Sequence, residues 1–304
     1  MTGDHISDPA LVGVTRLNHE LGARSFRHCL NVLGFVRDEG VRCVAVKINL
    51  CDYRLASSGA TTDPVLLGAL LDALRERFPN ARLLVLENDA STLEVWSAFR
   101  LLGIEAVARE RGAELHNLSE GRWRSRPIPG GRVLKDLEVP EILDACDLFI
   151  SVPKLKTNGL TKITGSLKNT FALMRMKRKA VWHGRIDDVI HDMNLAIQPD
   201  LCLVEGFICQ EGSRGPAFGI PKRCELLIAG RNAVAVDACC ARIMGFRPSS
   251  VRHLRLCHKA GLGPLDYCLQ TDIPDFDYAH YAFRFEYYDY WMRNLLRGRG
   301  GFAT

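Results

Sequence analysis

Three lysines lie close together near the middle of the chain, at Lys154, Lys156 and Lys168. Hydroxyl and amide side chains accompany them, with Thr157 and Asn169 as immediate neighbours in the sequence. Ammonium groups bind anions through charge-assisted hydrogen bonds, and an ammonium beside another cation can lose its proton and act as a base or nucleophile. The stretch therefore predicts an anion site in which the lysines bind substrate or perform the chemistry.

The elements around these lysines are predicted from apolar runs and turn residues. Residues 148–152 form an apolar run typical of a buried parallel strand, and Pro153 ends it because proline cannot donate to a ladder. Gly165 and Ser166 predict a turn into a helix, whose first N–H groups attract anions. Ligands of open parallel sheets bind beyond the carboxyl ends of the strands. We expect the lysines on a loop at that edge.

Other predicted strand ends carry polar residues that extend the candidate site. Lys47 and Asn49 end a strand, and Glu205 and Glu211 flank a strand end and a glycine-containing loop, where a general base is well placed. The expected catalytic residues are Lys168, Lys154, Glu205, His183 and Glu211. The expected substrate-binding residues are Lys47, Asn49, Thr61, Thr62, Lys156, Thr157, Asn169, Gly212 and Asp237. No metal ligand set is expected.

Strands and helices alternate along most of the chain, which predicts a mainly parallel, Rossmann-like α/β sheet flanked by helices. The arrangement is one domain or two lobes around a central cleft. Residues 1–270 are expected to form the α/β domain, preceded in its first 24 residues by a polar lead-in, and residues 271–304 an aromatic-rich extension. Within that extension, alternating aromatics at residues 281–287 predict a strand, followed by a helix and a basic end at residues 297–300.

Composition narrows the function classes. A formal net charge of +5 with dispersed arginines does not indicate a nucleic-acid-binding protein. The 11 cysteines include no C-x-x-C pair, and the first residues lack a basic region followed by an apolar core, so we expect a cytoplasmic protein. The aromatic extension predicts packing on the body or a homodimer contact, whereas membrane contact is not expected.

Two motifs around the lysines, PKLKT and TGSLKN, resemble the centre of the DUF362 family of uncharacterised proteins. Further matches in family order are residues 47–49, 61–64, 197–200, 211–212, 215–216, 236–238 and 261–263. The chain departs from the pattern at Asn158, where the family often has His, and at Glu205, where it often has Asp. Many members carry an appended ferredoxin-like iron–sulfur segment, which this chain lacks, so no such cluster is implied and the cofactor is unknown.

These observations favour an enzyme of small-molecule metabolism that acts on an anionic substrate by transfer, isomerisation or elimination. A first alternative is a metal- or redox-cofactor protein. The spacing of Lys168 and His183 is similar to that of nickel-dependent lactate racemases, in which a lysine holds a pincer cofactor and a downstream His ligates nickel. A second alternative is a binding or scaffold protein without catalysis.

Overall fold

The computed structural model describes residues 10–215 and 218–298. Its strands are β1 Leu11–Arg16, β2 Cys43–Lys47, β3 Arg82–Glu87, β4 Glu114–Asn117, β5 Trp123–Pro127, β6 Asp136–Pro140, β7 Leu148–Ser151, β8 Lys154–Asn158, β9 Lys162–Thr164, β10 Leu201–Glu211, β11 Ile220–Gly230 and β12 Cys268–Thr271. Its α-helices are α1 Gly22–Val32, α2 Pro64–Arg77, α3 Val95–Leu101, α4 Ile104–Glu110, α5 Glu141–Asp144, α6 Ser166–Asn169, α7 Ile186–Ala196, α8 Ala233–Ile243, α9 Arg252–Lys259 and α10 Tyr287–Gly298. Short 3-10 helices include Ala56–Ser58, Thr170–Leu173, Lys179–Arg185 and Tyr278–Tyr281.

One sheet runs through the molecule in the order β12-β1-β11-β10-β7-β2-β3-β4. From β10 to β4 all neighbours are parallel, whereas β11 runs antiparallel to both β10 and β1. β8 pairs in parallel with the second half of β10, and β9 pairs with β8. The predicted α/β class with a mostly parallel central sheet is therefore confirmed.

Apolar residues pack on both faces of this sheet. Val44 and Val46 of β2 belong to a core with helices α1 to α4, whereas the intervening Ala45 belongs to a second core with α7, α8 and α9. Successive side chains of a strand point to opposite faces, so the two cores lie on opposite sides. A strand buried on both faces needs a continuous apolar run, and β2, β3, β7 and β10 have one.

Several elements differ from the sequence predictions at the ends of the chain. The expected polar lead-in is wrong, because β1 is an inner strand between β11 and β12. The strand expected over residues 281–287 is also wrong, since those residues follow the 3-10 helix Tyr278–Tyr281 and lead into α10. Phe285 instead contacts the ring of Phe246, with ring centres 5.1 Å apart. The extension therefore packs on the body at this point.

Near the middle of the chain, the loop expected to carry the lysines is a strand. Pro153 does end β7, but the chain re-enters the sheet at once as β8 beside β10. Residues 121–131, whose Arg, Pro and Gly residues predict a loop or hairpin tip, include β5, which forms an antiparallel hairpin with β6. Lys154 and Lys156 are consequently sheet residues with 1% exposure each.

Within the described ranges, no helix has both the length and the apolar character needed to cross a bilayer. Pro216 of the family pattern, the first nine residues and the final part of the basic end, residues 299–304, lie outside the described residues.

Candidate functional site

Lys154 and Glu205 form a buried ion pair at the centre of the candidate site. Lys154 Nζ donates to Glu205 Oε1 at 2.5 Å, and the two side chains are 1% and 2% exposed. The backbone N–H groups of Asp63 and Phe207 donate to the same carboxylate at 3.2 and 3.3 Å. Burial raises the pKa of Glu205, and the charge of Lys154 opposes that change. The pair joins β8 to β10 and to the start of α2.

Lys156, two residues further along β8, reaches a loop instead of a carboxylate. Its Nζ donates to the carbonyl oxygen of Ala60 at 2.7 Å and to Cys51 Sγ at 3.7 Å. Burial lowers the pKa of Lys156, and the charge of Lys154 acts in the same direction. This ammonium therefore remains electrostatically unneutralised at close range.

Lys168 lies on α6, half-buried, and completes the group of three lysines. Burial and the charge of Lys156 lower the pKa of Lys168 to about 8. Its Nζ is 6.0 Å from the centre of the Phe171 ring. In the part of the chain that the structure describes, no carboxylate lies within ion-pair distance of Lys156 or Lys168. Of the three lysines only Lys154 thus has a close carboxylate, that of Glu205, and the cluster carries excess positive charge.

The start of α6 is occupied by Asp237 of α8. Asp237 Oδ1 accepts the N–H of Ser166 at 2.7 Å, and Oδ2 accepts the N–H of Leu167 at 3.0 Å. A Cβ at Gly165 would lie 2.3 Å from Asp237 Oδ1, so only glycine fits there. The expectation that free N–H groups at this helix attract a ligand anion is therefore wrong, because the protein's own carboxylate already takes them.

Lys47 and Asn169 hold the ends of neighbouring strands. Lys47 Nζ donates to Glu87 Oε1 at 2.8 Å and to Ile48 O at 2.6 Å, with both charged groups fully buried. Asn169 Nδ2 donates to Lys47 O at 3.2 Å and to Ser151 Oγ at 3.0 Å. These contacts connect α6 to the carboxyl ends of β2 and β7, which fixes the position of Lys168.

Asn49, Thr61 and Thr62 shape the loop that brings Ala60 to Lys156. The N–H of Asn49 donates to Thr62 Oγ1 at 2.9 Å, and the N–H of Thr62 donates to Asn49 O at 3.0 Å. Thr61 Oγ1 donates to Arg54 O at 2.7 Å. These expected substrate-binding residues lie beside the lysines, and their hydrogen bonds close the loop.

Thr157, Glu211 and Gly212 lie towards the C-terminal segment. Thr157 Oγ1 donates to Gly212 O at 2.6 Å. Glu211 Oε2 accepts the N–H of Arg284 at 3.0 Å and lies 3.6 Å from Lys222 Nζ. Glu211 thus contacts Lys222 of β11 and Arg284 of the C-terminal segment, whereas Glu205 contacts Lys154 of the lysine cluster.

His183 is exposed on the 3-10 helix Lys179–Arg185, in contrast to the buried lysines of β8. Across residues 10–215 and 218–298, no group of three or more His, Cys, Asp or Glu side chains is arranged to hold a metal ion.

Sequence reasoning missed Cys51 and His19. Cys51 lies four residues after Lys47, so its position just beyond a strand end was an available signal. His19 Nε2 lies 2.9 Å from Asp63 Oδ2, whose backbone contacts Glu205. No local signal marked His19, because the strand before it was not recognised.

Comparison with known proteins places the chain among uncharacterised relatives. The family model described as "Domain of unknown function (DUF362)" matches residues 44–242, from β2 to α8. The "Thylakoid-associated protein sll1697" of Synechocystis sp. (strain ATCC 27184 / PCC 6803 / Kazusa) is 31% identical over 131 residues, which is 41% of this chain and 40% of that protein. The chain thus matches less than half the length of this relative.

Among solved structures, the lactate racemase apoprotein from Thermoanaerobacterium thermosaccharolyticum aligns with a TM-score of 0.43 and 12% identity. The alignment covers 85% of this chain and 58% of that chain.

Proposed function

Because this chain belongs to the DUF362 family, for which no function is assigned, we propose its activity from the site alone: it is an enzyme that binds a small anionic metabolite between Lys154, Lys156 and Lys168. The observation that carries the proposal is the excess of buried positive charge. Glu205 is paired with Lys154, and within the described residues neither Lys156 nor Lys168 has a carboxylate at ion-pair distance. A carboxylate or phosphate ligand would neutralise the remaining charge through charge-assisted hydrogen bonds.

The proposed reaction depends on the amine of Lys168. With a pKa of about 8, a useful fraction of this amine is neutral near physiological pH, as proton transfer to or from a substrate requires. Lys156 supplies the neighbouring charge that lowers this pKa, and it also faces the same ligand. Glu205, whose carboxylate accepts a hydrogen bond from Lys154, is proposed as a general base. Proton transfer within transfer, isomerisation or elimination is therefore the proposed class.

The proposal also includes a reducing compartment such as the cytoplasm, supported by the 11 cysteines, none of which forms a disulfide in the residues that the structure describes. It includes a homodimer contact through α10, supported by the exposed rings of Tyr288 and Trp291, which are 72% and 59% exposed.

The direct test is binding of small carboxylates and phosphate, measured by titration calorimetry and native mass spectrometry. We expect Lys168→Ala to weaken binding by about 1–3 kcal/mol, or roughly 5- to 150-fold, because one charged hydrogen bond is lost. Lys168→Arg should retain binding but lose turnover, since a guanidinium does not release its proton. Lys156→Met should also weaken binding.

Lys259→Ala is the matched control, because it removes one exposed lysine at the end of α9. Its binding should equal that of the unmodified chain. If the Lys168 and Lys156 variants also bind like the unmodified chain, the proposed site is wrong. Binding that persists while no Lys168 variant alters any turnover would favour a non-catalytic binding protein.

A further inference from the structure

Cys51 lies beside the lysine cluster, on the loop that follows β2. Its side chain is partly exposed, so reagents can reach it. The thiol donates to Ala60 O at 3.4 Å, and Lys156 Nζ donates to Cys51 Sγ at 3.7 Å while also bonding Ala60 O. The sulfur and the ammonium therefore share one carbonyl and touch each other.

The surroundings of Cys51 are cationic. Lys156 is in contact with the sulfur, and Lys168 lies close to Lys156. The neighbouring acid, Asp52, is 3.5 Å from Arg54, which offsets its negative charge. Ammonium groups beside a thiol attract anionic reagents to it.

The other cysteines have different environments. Eight of them are buried, and burial raises the pKa of thiols such as Cys29, to about 12. Cys146 is partly exposed, but its sulfur lies 2.6 Å from that of Cys43. Cys268 is exposed on β12, away from the lysines. Partial exposure and contact with a buried ammonium are thus combined at Cys51.

We infer that Cys51 is a nucleophile of the lysine site, reactive toward carbon electrophiles that carry a carboxylate. This inference rests on the proposed function for the anion-binding role of the lysines. The lysines would hold the carboxylate while the sulfur attacks the electrophilic carbon. With iodoacetate, the thiol first gives its proton to solvent, the S–C bond forms as the C–I bond breaks, and iodide leaves with the electron pair.

The test compares iodoacetate, which is anionic, with iodoacetamide, which is neutral and of similar size. Rates of modification of Cys51 and Cys268 are measured by peptide mass spectrometry on one sample of the full chain, so Cys268 is an internal control. We expect the ratio of the iodoacetate rate to the iodoacetamide rate to be about tenfold higher at Cys51 than at Cys268, because two ammonium groups attract the anionic reagent.

Variants of Lys156 and Lys168 test whether the lysine cluster causes the higher rate ratio at Cys51. Lys168→Gln and Lys156→Met should each lower the ratio at Cys51 towards that of Cys268, whereas Lys259→Ala should leave it unchanged. Lys168 is half-buried, so Lys168→Gln provides the test even if Lys156→Met does not fold. A ratio at Cys51 equal to that at Cys268 overturns the inference.

A further variant separates this inference from the proposed function. Cys51→Ser retains all three lysines, so it should still bind small carboxylates in calorimetry. Retained binding together with an ordinary rate ratio at Cys51 would reject the role of Cys51 and leave the anion site standing. Absence of carboxylate binding in the unmodified chain, with an ordinary ratio, would reject both.

Discussion

The carboxylate of Asp237 accepts the backbone N–H of Ser166 at 2.7 Å, so a residue of α8 fixes the first turn of α6. Both residues are fully buried, and Gly165 makes room for the contact. The helix that carries Lys168 is only four residues long, and helices of that length are not stable by themselves. The position of Lys168 therefore depends on Asp237 more than on the local sequence.

We predict a pH-dependent stability that originates at Asp237. Burial raises its pKa from 3.8 to about 6, so between these values the folded chain keeps a proton that the unfolded chain releases. The contribution of this group to the free energy of unfolding should fall by up to about 3 kcal/mol as pH rises from about 4 to 6.

Urea unfolding at pH 4 to 7 measures this change. In Asp237→Asn, the free energy of unfolding should lack the corresponding decrease with pH. Asp266→Asn, which removes a carboxylate with 97% side-chain exposure, should keep that decrease. An unchanged slope in Asp237→Asn would contradict the prediction.

We predict that the affinity of the site for anions changes with pH around 8 because of Lys168. Its ammonium has a pKa lowered to about 8, so it is charged below that pH and increasingly neutral above it. The affinity for a carboxylate, whose own charge is constant in this range, should fall as pH rises through 8. Turnover that uses the neutral amine should rise over the same interval.

Calorimetry between pH 6.5 and 9.5 tests the binding part. Lys168→Arg should bind with constant affinity, because its guanidinium stays charged. The same fall of affinity in Lys168→Arg would show that another group titrates. Without ligand, the lowered pKa should make stability rise with pH between about 8 and 10.5, since the unfolded chain binds the extra proton.

The Lys154–Glu205 pair should show strong energetic coupling. Glu205→Gln leaves the buried ammonium of Lys154 without its partner, and Lys154→Met leaves the buried carboxylate of Glu205 without its partner. Each substitution should therefore lower the free energy of unfolding by about 3–5 kcal/mol. The double variant should cost clearly less than the sum. Urea unfolding of all four proteins measures the coupling.

The exposed pair Arg27–Glu76 is the comparison, with coupling of about 1 kcal/mol or less. Additive costs at Lys154 and Glu205 would contradict the pairing.

Asp63 should stabilise α2 as its N-cap. Its side chain accepts the N–H groups of Val65 and Leu66 at 2.9 and 3.3 Å. Asp63→Ala should therefore lower the free energy of unfolding by about 1 kcal/mol, and Asp63→Asn by much less, since asparagine also caps helices. His19→Ala, which removes the other partner of Asp63, should keep the cap. Equal losses for the Ala and Asn variants would assign the effect to charge and not to capping.

The local sequence was sufficient to predict strands whose burial follows from a continuous apolar run. β3 spans Arg82–Glu87, where the sequence has a continuous apolar run from Leu83 to Leu86, and such a run, buried on both faces of a parallel sheet, leaves little choice of structure. β8 could not be predicted in this way. Its alternating Lys, Leu, Lys, Thr pattern has the period of a strand, but lysine is rarely buried without a partner, and Glu205 is 51 residues away.

The sequence identified many of the residues of the candidate site and the strand ends that carry them. It did not predict the contacts between them. The central stretch identified Lys154, Lys156 and Lys168, which the structure places close together. The role of Asp237 could not be foreseen, since its partners Ser166 and Leu167 belong to another helix. Cys51 was missed because a single cysteine has no motif, and only the fold places Lys156 against it.

The partners of β1 have a consequence for synthesis on the ribosome. β1 pairs with β11 and β12, which end at Gly230 and Thr271, whereas β2, β3 and β7 pair among themselves and lie earlier in the chain. At a translation rate of roughly 5–20 residues per second, the N-terminal strand waits on the order of ten seconds or more for its neighbours. During that interval the emerging chain exposes an unpaired apolar strand, which is a natural binding site for a chaperone.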